Sequence, residues 1–239
     1  MPVRAVLFDM FDTLMMIEKD HAFHSPSLRS AYDFLVANGV DVEYSVFEKA
    51  YIEARDALYA KANVRLEEPH FNVRIADALN KLGYAHDVSS WLVSGATNAF
   101  CDGFMNFVII DKHARALLKK LCKRYKLGIV SNFAIPECVL KLLERERLAG
   151  FFDVVVVSGA VNKRKPSLDI YNKALDALGV KADETVFVGD TVDADVEGPK
   201  KAGMKTVFIE RRFQKDVEVA CPDQTIQSLV DLPAALELC

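Results

Sequence analysis

The sequence lacks the features that mark secreted, membrane or nucleic-acid-binding proteins. Its five cysteines form no CxxC pair and are odd in number, which argues against a disulfide framework and for a reducing compartment. No apolar run reaches the roughly 18 residues that cross a bilayer, and the chain starts with a strand rather than a targeting segment. A formal net charge of −4 provides no basic face for nucleic acid. We therefore expect a soluble, cytoplasmic protein that binds neither membrane nor nucleic acid, with its oligomeric state open.

Apolar residues are abundant instead. They make up 51% of the 239 residues, against 27% charged, which is enough for a sizeable core in one large domain or one domain with an insertion. The first apolar run, Ala5 to Phe8, leads directly into Asp9. Such a run is typical of a strand buried on both faces of a parallel sheet, so Asp9 would lie where open α/β sheets bind ligands. The alternative is that Asp9 only caps the following turn.

The rest of the chain divides into two patterns. From about Ser27 to Ala99, apolar residues recur with helical spacing in four successive segments with no strand between them. From about Asp111 onward, strands alternate with helices, which predicts a doubly wound parallel sheet with helices on both faces. The predicted fold class is therefore α/β with an inserted all-α segment after the first strand.

Polar residues follow the later predicted strands as well. These are Ser131 with Asn132, Lys165 just before Pro166, and Asp190 with Asp195. Pro166 suits the first turn of a helix, so Lys165 would lie at a helix entrance facing the same sheet edge as Asp9. Each residue has a plainer alternative as a helix cap, a surface lysine or an exposed helix residue. Arg211 and Arg212 follow the last main strand and would either reach the same sheet edge or, as we prefer, provide surface charge.

Electrostatics favour a metal and a phosphate at this edge. Three carboxylates in one site repel one another and raise their pKa values unless cations intervene. Lys165 supplies one positive charge, and Mg²⁺ held by one or two carboxylates supplies the rest. A phosphate group would be bound by both cations while Asp9 attacks phosphorus.

Four motifs in this order resemble those of the haloacid dehalogenase superfamily of aspartate-nucleophile hydrolases. The resemblance covers essentially the whole chain and implies a catalytic core of residues 1–15 and 106–239 with a helical cap of residues 16–105 that selects a small-molecule substrate. The matching segments are Phe8-Asp9-Met10-Phe11-Asp12-Thr13-Leu14, Val130-Ser131-Asn132, Arg164-Lys165-Pro166 and Val188-Gly189-Asp190-Thr191-Val192-Asp193-Ala194-Asp195.

The resemblance also implies a role for each motif residue. Asp9 becomes the covalently modified nucleophile, and Lys165 neutralises charge on the nucleophile and the substrate. The residues implied to bind the transferred phosphate group are Thr13, Ser131, Asn132 and Lys165. The implied Mg²⁺ ligands are Asp9, Asp190 and the backbone carbonyl of Phe11, with Asp195 as a ligand or a support for the metal's waters.

One position departs from the family's phosphatases, which have a second aspartate two residues after the nucleophile. That aspartate protonates the leaving oxygen and activates water, whereas this chain has Phe11. Positioned acid–base catalysis contributes ~10²–10⁴-fold to rate. Asp12 could compensate only if the loop turned its side chain inward, which we do not expect because the family usually has glycine there.

Three functions remain open at this point. A Mg²⁺-dependent phosphatase, favouring substrates with good leaving groups, is indicated by Asp9, Lys165, Asp190 and Asp195. A metal-independent 2-haloacid dehalogenase is indicated by Phe11 and by Tyr171, which resemble those enzymes, although they typically lack the acid at Asp190. A non-catalytic binding protein that keeps the fold is the third.

Overall fold

A six-stranded parallel sheet forms the centre of the protein. The structure is a computed structural model that describes residues 2–18, 22–211 and 221–239. The strand order in the sheet is β5-β4-β1-β6-β7-β8, so β1 lies between β4 and β6, with Phe8 paired to Ile129 and to Val188. The strands are β1 (Ala5–Phe8), β4 (Lys126–Ser131), β5 (Val154–Val157), β6 (Thr185–Gly189), β7 (Lys205–Ile209) and β8 (Gln224–Ile226).

Helices cover both faces of this sheet. All four residues of β1 are inaccessible to solvent: Val6 and Phe8 pack into one apolar core, and Ala5 and Leu7 pack into another. The parallel, doubly wound sheet predicted from the sequence is confirmed. The helices that follow β3 are α5 (Ala114–Leu121), α6 (Pro136–Arg145), α7 (Ser158–Val161), α8 (Leu168–Leu178), α9 (Gly198–Lys201) and α10 (Leu232–Leu238).

Four helices lie between β1 and α5, as the helical spacing predicts. Ser90 caps the last of them, since its hydroxyl accepts a hydrogen bond from the amide of Val93 at 3.3 Å. Gly39 and Gly83 end two of the helical segments with φ values of +95° and +87°, a conformation that costs glycine little. The helices are α1 (His24–Ala37), α2 (Tyr44–Ala62), α3 (Phe71–Lys81) and α4 (Trp91–Met105).

A short antiparallel ribbon joins the two ends of this helical segment. It consists of β2 (Met15–Ile17) and β3 (Val108–Ile110), with Met15 paired to Ile110. Segment 16–105 is therefore not wholly helical, since Met16 and Ile17 are in a strand. Strands of three residues are too short to show a period of two. The division into a core and a cap at these boundaries stays a prediction.

Two further properties bear on the sequence-based expectations. All five cysteines are free thiols, as the absence of CxxC pairs predicts. Within the described ranges, no helix combines the length and the apolar character that crossing a bilayer requires.

Candidate active site

The predicted site residues meet at the carboxyl ends of three neighbouring strands. Asp9 follows β1, and its amide donates to the carbonyl of Val188 in β6 at 2.8 Å. Ser131 is the last residue of β4, and Asp190 follows β6. Asp9 and Asp190 line a cavity of about 300 Å³, which we call the catalytic cavity. It is lined by Asp9, Phe11, Asp12, Ile17, Phe23, Asn132, Phe133, Lys165, Asp190, Thr191, Ala194 and Asp195.

Lys165 connects two of the carboxylates. Its ammonium group lies 2.7 Å from Asp9 Oδ1 and 2.7 Å from Asp195 Oδ1, and its side chain is only 2% exposed. Burial alone would lower the pKa of Lys165, but the two carboxylates raise it above its ordinary value. The pKa of Asp9 is raised to about 6, mainly by burial and also by Asp195, with Lys165 opposing the rise. Asp9 is therefore mostly a carboxylate at neutral pH, which is the form that can act as a nucleophile.

Both oxygens of Asp195 have hydrogen-bond partners. Oδ1 binds Lys165, and Oδ2 accepts hydrogen bonds from the amides of Asp190 and Thr191 at 3.1 and 2.9 Å. Its carboxylate thus orients the lysine and the turn after β6 together. Gly189 makes room for it, because a Cβ at that position would lie 2.4 Å from the Asp195 carboxyl group. This geometry favours support of the site over direct metal binding by Asp195.

Asp190 carries the clearest sign of missing positive charge. Its pKa is raised to about 8, first by burial and then by the charges of Asp9, Asp195 and Asp12, with only Lys165 opposing them. Carboxylate oxygens of Asp9, Asp190 and Asp195 lie within 4.8 Å of one another. Oxygen-only donors and excess negative charge are what a hard divalent cation such as Mg²⁺ requires. The residues therefore fit this metal; coordination by the Phe11 carbonyl stays a prediction.

Two hydroxyl groups beside the carboxylates are buried without a partner. Thr13 Oγ1 and Ser131 Oγ have no hydrogen-bond partner among the described residues, and both side chains are fully buried. A buried hydroxyl without a partner costs free energy, so such pairs mark places where a ligand completes the hydrogen bonds. Binding of phosphate oxygens by Thr13 and Ser131 stays a prediction, since neither residue is among those that line the catalytic cavity.

Asn132 lines the catalytic cavity, but both ends of its side-chain amide bond the backbone of Lys165. Its side-chain oxygen accepts from the Lys165 amide at 2.7 Å, and its side-chain nitrogen donates to the Lys165 carbonyl at 3.0 Å. The pair of bonds fixes the backbone from which the Lys165 side chain extends. The predicted contact between the Asn132 side chain and phosphate gains no support from this arrangement.

The side chain of Phe11 belongs to an aromatic cluster made of Phe11, Phe23, Phe104 and Phe133. The Phe11 ring lies 5.5 Å from that of Phe104 and 5.0 Å from that of Phe133, measured between ring centroids. The cluster connects the loop after β1 to α4 and to the loop after β4. Phe11 therefore contributes packing and a wall of the catalytic cavity, but no proton.

Asp12 does turn toward the catalytic cavity, contrary to our expectation. The residue is buried, has a φ of +58° and lines the cavity, with its Oδ1 accepting from the amide of Ile17 at 3.2 Å. Aspartate tolerates this left-handed backbone conformation, which glycine would also adopt. A second carboxylate is thus present in the loop, one position after Phe11.

The interpretation of Arg211 as surface charge is wrong. Its Nη2 lies 2.7 Å from Asp111 Oδ2 and 3.1 Å from the carbonyl of Thr13, and the arginine side chain is only 13% exposed. Arg211 thus joins the end of β7 to the loop that follows Asp9. No local sequence signal points to a partner almost two hundred residues away. Arg212 lies outside the described residues.

Two further expectations are revised around Lys165. Helix α8 begins at Leu168 with Ser167 as its N-cap, so Pro166 precedes the helix instead of starting it. Tyr171 is fully buried, and its hydroxyl donates to the carbonyl of Ala194 at 2.5 Å. It supports the segment before Asp195 and does not line the catalytic cavity. Tyr171 therefore gives the dehalogenase interpretation no support.

The chain is similar to a known protein family and to several known proteins. Residues 35–209 match the family described as haloacid dehalogenase-like hydrolase. The chain is 30% identical over 237 residues to the glyceraldehyde 3-phosphate phosphatase of Methanopyrus kandleri, covering 98% of this chain and 95% of that one. It is 36% identical over 110 residues to the phosphoglycolate phosphatase of Aquifex aeolicus, covering 46% and 50% of the two chains. A 2-haloacid dehalogenase from Pseudomonas syringae pv. Tomato DC3000 has the same fold, with a TM-score of 0.78, 21% identity and 98% coverage of both chains.

Proposed function

Because this chain belongs to the haloacid dehalogenase-like hydrolase family, we propose that it is a Mg²⁺-dependent phosphatase with Asp9 as its nucleophile. The observation that carries the proposal is the contact of Asp9 with Lys165 beside the unpartnered hydroxyls of Thr13 and Ser131. The substrate would be a small phosphorylated metabolite, as the names of the two phosphatases similar to this chain suggest.

The first step would form an aspartyl phosphate. A carboxylate oxygen of Asp9 attacks phosphorus while the bond between phosphorus and the leaving oxygen breaks. The two hydroxyls donate to phosphate oxygens, and the Lys165 ammonium stabilises the negative charge that accumulates there. Water then attacks phosphorus, which breaks the bond to Asp9, releases inorganic phosphate and restores the carboxylate.

The residues that would hold Mg²⁺ are Asp9, Asp190 and the Phe11 carbonyl, with Asp195 behind them. When bound, the ion supplies positive charge that reduces repulsion between the carboxylates and the incoming phosphate. Lys165 supplies the remaining positive charge of this group and is held in place by Asp195 and Asn132.

We further propose that the enzyme favours phosphates with good leaving groups, such as acyl and aryl phosphates. Phe11 cannot protonate a departing alkoxide, and the lost acid is worth on the order of 3–5 kcal/mol of barrier. Asp12 is the nearest carboxylic acid in the same loop, but its Oδ1 already accepts from the Ile17 amide. A leaving group that departs without a proton does not need the general acid that Phe11 cannot provide.

Residues 16–105 would act as a cap over the site. Support comes from the aromatic cluster, in which Phe23 and Phe104 from this segment pack near Phe11 and Phe133. The ribbon of β2 and β3 holds both connections of the segment side by side. Motion of the cap as a unit about this ribbon is part of the proposal.

A panel of aryl, acyl and alkyl phosphates, assayed with Mg²⁺ and with EDTA, tests the function. We expect metal-dependent phosphate release that is fastest for the aryl and acyl phosphates and is abolished by Asp9→Asn. An absence of metal-dependent release from every activated phosphate would contradict the proposal, as would activity that survives the substitution.

A 2-haloacid dehalogenase is the second candidate, favoured by Phe11 alone. Halide leaves without a proton, so an aromatic residue at this position would be harmless to that reaction. The raised pKa of Asp190 and its place beside Asp9 argue against a site that works without metal. Chloride release from 2-chloropropionate in EDTA would establish dehalogenation, and its absence, together with Mg²⁺-dependent phosphate release, would exclude it.

A further inference from the structure

A second cavity, which we call the distal cavity, adjoins the catalytic cavity. It has a volume of about 220 Å³ and lies between α2 and α3 on one side and the loop after β4 on the other. Phe23, Asn132 and Phe133 line both cavities. A substrate whose phosphate lies at Asp9 would therefore extend its other end past these residues into the distal cavity.

The wall of the distal cavity contains a buried guanidinium group. Arg74 of α3 is 7% exposed, and its charged group lies 4.7 Å from the centroid of the Phe71 ring. Its Nη2 donates to the Tyr59 hydroxyl at 2.6 Å and lies 3.8 Å from Glu68 Oε1, and the same hydroxyl donates to Glu68. One edge of the guanidinium is thus satisfied by protein groups.

The other edge of the guanidinium is not satisfied. Among the residues that the structure describes, neither Arg74 Nε nor the Tyr51 hydroxyl has a hydrogen-bond partner, and Tyr51 is fully buried. Both residues line the distal cavity. Two buried donors left unpaired in one wall are costly for the protein alone and suit an acceptor that arrives with a ligand.

The charges around these donors favour a negatively charged acceptor. Burial lowers the pKa of His24, which lines the same cavity, and the charges of Arg55 and Arg74 lower it further against a smaller opposing effect of Glu48. Burial would also lower the pKa of Arg74, but Tyr51, Tyr59 and Glu68 hold it above its ordinary value. Arg74 therefore stays protonated, and at His24 the positive charges of Arg55 and Arg74 outweigh the negative charge of Glu48.

We propose that the distal cavity binds a carboxylate at the end of the substrate opposite its phosphate, with Arg74 Nε and the Tyr51 hydroxyl donating to the carboxylate oxygens. This inference rests on the proposed phosphatase function and narrows its substrates to small phosphorylated carboxylic acids. A neutral hydroxyl or carbonyl group would accept the same bonds without the charge-assisted strengthening.

The test compares matched pairs of phosphate esters that differ only in this group. The pairs are phosphoglycolate with 2-hydroxyethyl phosphate, 3-phosphoglycerate with glycerol 3-phosphate, and 4-carboxyphenyl phosphate with 4-(hydroxymethyl)phenyl phosphate. We expect kcat/KM to favour the carboxylate of at least one pair by about tenfold or more, the usual effect of a hydrogen bond between charged groups.

Two variants assign this preference to the distal cavity. Tyr51→Phe removes a hydroxyl that has no partner, so the thermal unfolding midpoint should not fall, while the preference for carboxylate should fall about tenfold. The double variant Arg74→Met/Glu68→Gln removes both buried charges together, so neither is left alone, and it should abolish the preference. Arg29→Met, an exposed arginine of α1 outside the cavity, is the control and should keep the preference.

The result separates this inference from the proposed function. Two results would overturn the distal site and leave the proposed phosphatase function intact, provided that Mg²⁺-dependent hydrolysis is observed. One is the same carboxylate preference in the wild type and both variants, and the other is no carboxylate preference in the wild type. If no ester is hydrolysed, the proposed phosphatase function is wrong, and calorimetry then tests the distal site alone. The wild type should bind phosphonoacetate about tenfold more tightly than 2-hydroxyethylphosphonate. Tyr51→Phe should lose that difference in affinity. Equal binding of the two phosphonates would overturn the inference.

Discussion

At the scale of single residues, Lys165 connects Asp9 to Asp195. Its ammonium group contacts one carboxylate oxygen of each residue. The other carboxylate oxygen of Asp195 accepts hydrogen bonds from the amides of Asp190 and Thr191. The nucleophile, its cation and the turn after β6 are therefore held by one carboxylate. A change that displaces Asp195 should affect all of them together.

Gly189→Ala is such a change. The new methyl group would lie 2.4 Å from the Asp195 carboxyl group, so either the carboxylate or the strand must move. We expect a loss of about 1–3 kcal/mol of stability, the usual cost of overpacking, and a larger loss of kcat than of substrate affinity. Thermal unfolding and steady-state kinetics measure both. Gly150→Ala, where a Cβ meets no atom within 4 Å, is the matched control, and equal effects of the two substitutions would contradict this role of Gly189.

Phe11→Asp should restore the missing proton donor. We expect kcat/KM for alkyl phosphates to rise by ~10²-fold, the lower end of what positioned acid–base catalysis contributes. Stability should fall by about 1 kcal/mol or more, because the ring packs against Phe104 and Phe133. Phe11→Leu removes the ring without supplying an acid and should show no gain. A similar gain in both variants would mean that space, not the acid, limits the reaction.

From the raised pKa of Asp190, we predict that Mg²⁺ stabilises the protein more at pH 8 than at pH 6. Burial and neighbouring carboxylates raise its pKa to about 8, so at pH 6 the metal must displace a proton, whereas at pH 8 about half of the Asp190 carboxyl groups are already ionised and most of that cost is gone. Thermal unfolding with and without Mg²⁺ at the two pH values measures this difference. Asp190→Asn should lose the pH dependence, and a shift that is equal or smaller at pH 8 in the wild type would contradict the metal site.

At the scale of secondary-structure elements, the loop after β1 is held from both sides. The aromatic cluster fixes it to α4 and to the loop after β4, and Arg211 fixes it to the end of β7. The ribbon of β2 and β3 starts from the same loop, where the amide of Asp111 donates to the carbonyl of Leu14 at 3.0 Å. The geometry around Asp9 therefore depends on contacts between elements that are distant in sequence.

Arg211→Met tests this dependence. It leaves Asp111 without its cation in a pair whose side chains are 13% and 8% exposed, so we expect a loss on the order of 3 kcal/mol of unfolding free energy and a lower kcat. Adding Asp111→Asn should recover part of the stability, since no buried charge then lacks a partner. Chemical denaturation measures the effect. Arg29→Met breaks an exposed pair with Asp33 and should cost about 0–1 kcal/mol; an equally small effect of Arg211→Met would contradict the structural role of Arg211.

At the scale of the whole molecule, the features that the sequence predicts are those set by long apolar patterns. The sheet, the four inserted helices and the strand ends that carry Asp9, Ser131 and Asp190 follow from short apolar segments that alternate with helical spacing along the chain. The ribbon of β2 and β3 does not, because each of its strands has three residues. Arg211 could not be placed either, since its partners are distant in sequence.

The finer parts of the site depend on backbone geometry that a linear sequence does not reveal. Asp12 turns toward the catalytic cavity because its backbone adopts a left-handed conformation. Asn132 is occupied by the Lys165 backbone, and the Asp195 oxygens are occupied by Lys165 and two amides. The unpaired donors of Arg74 and Tyr51 appear only once α2 and α3 are packed together. Residue type identified the chemistry of the site, but contacts decide which residue does what.

The central claim is that the carboxylate of Asp9 attacks phosphorus, and trapping the covalent intermediate tests it most directly. The protein would be mixed with Mg²⁺ and 4-carboxyphenyl phosphate, quenched in acid during turnover, reduced with borohydride and analysed by peptide mass spectrometry. We predict that an aspartyl phosphate at residue 9 is reduced to homoserine in the wild type, with no such product in Asp9→Asn. Phosphate release without modification of residue 9, or with modification of another side chain, would contradict the account.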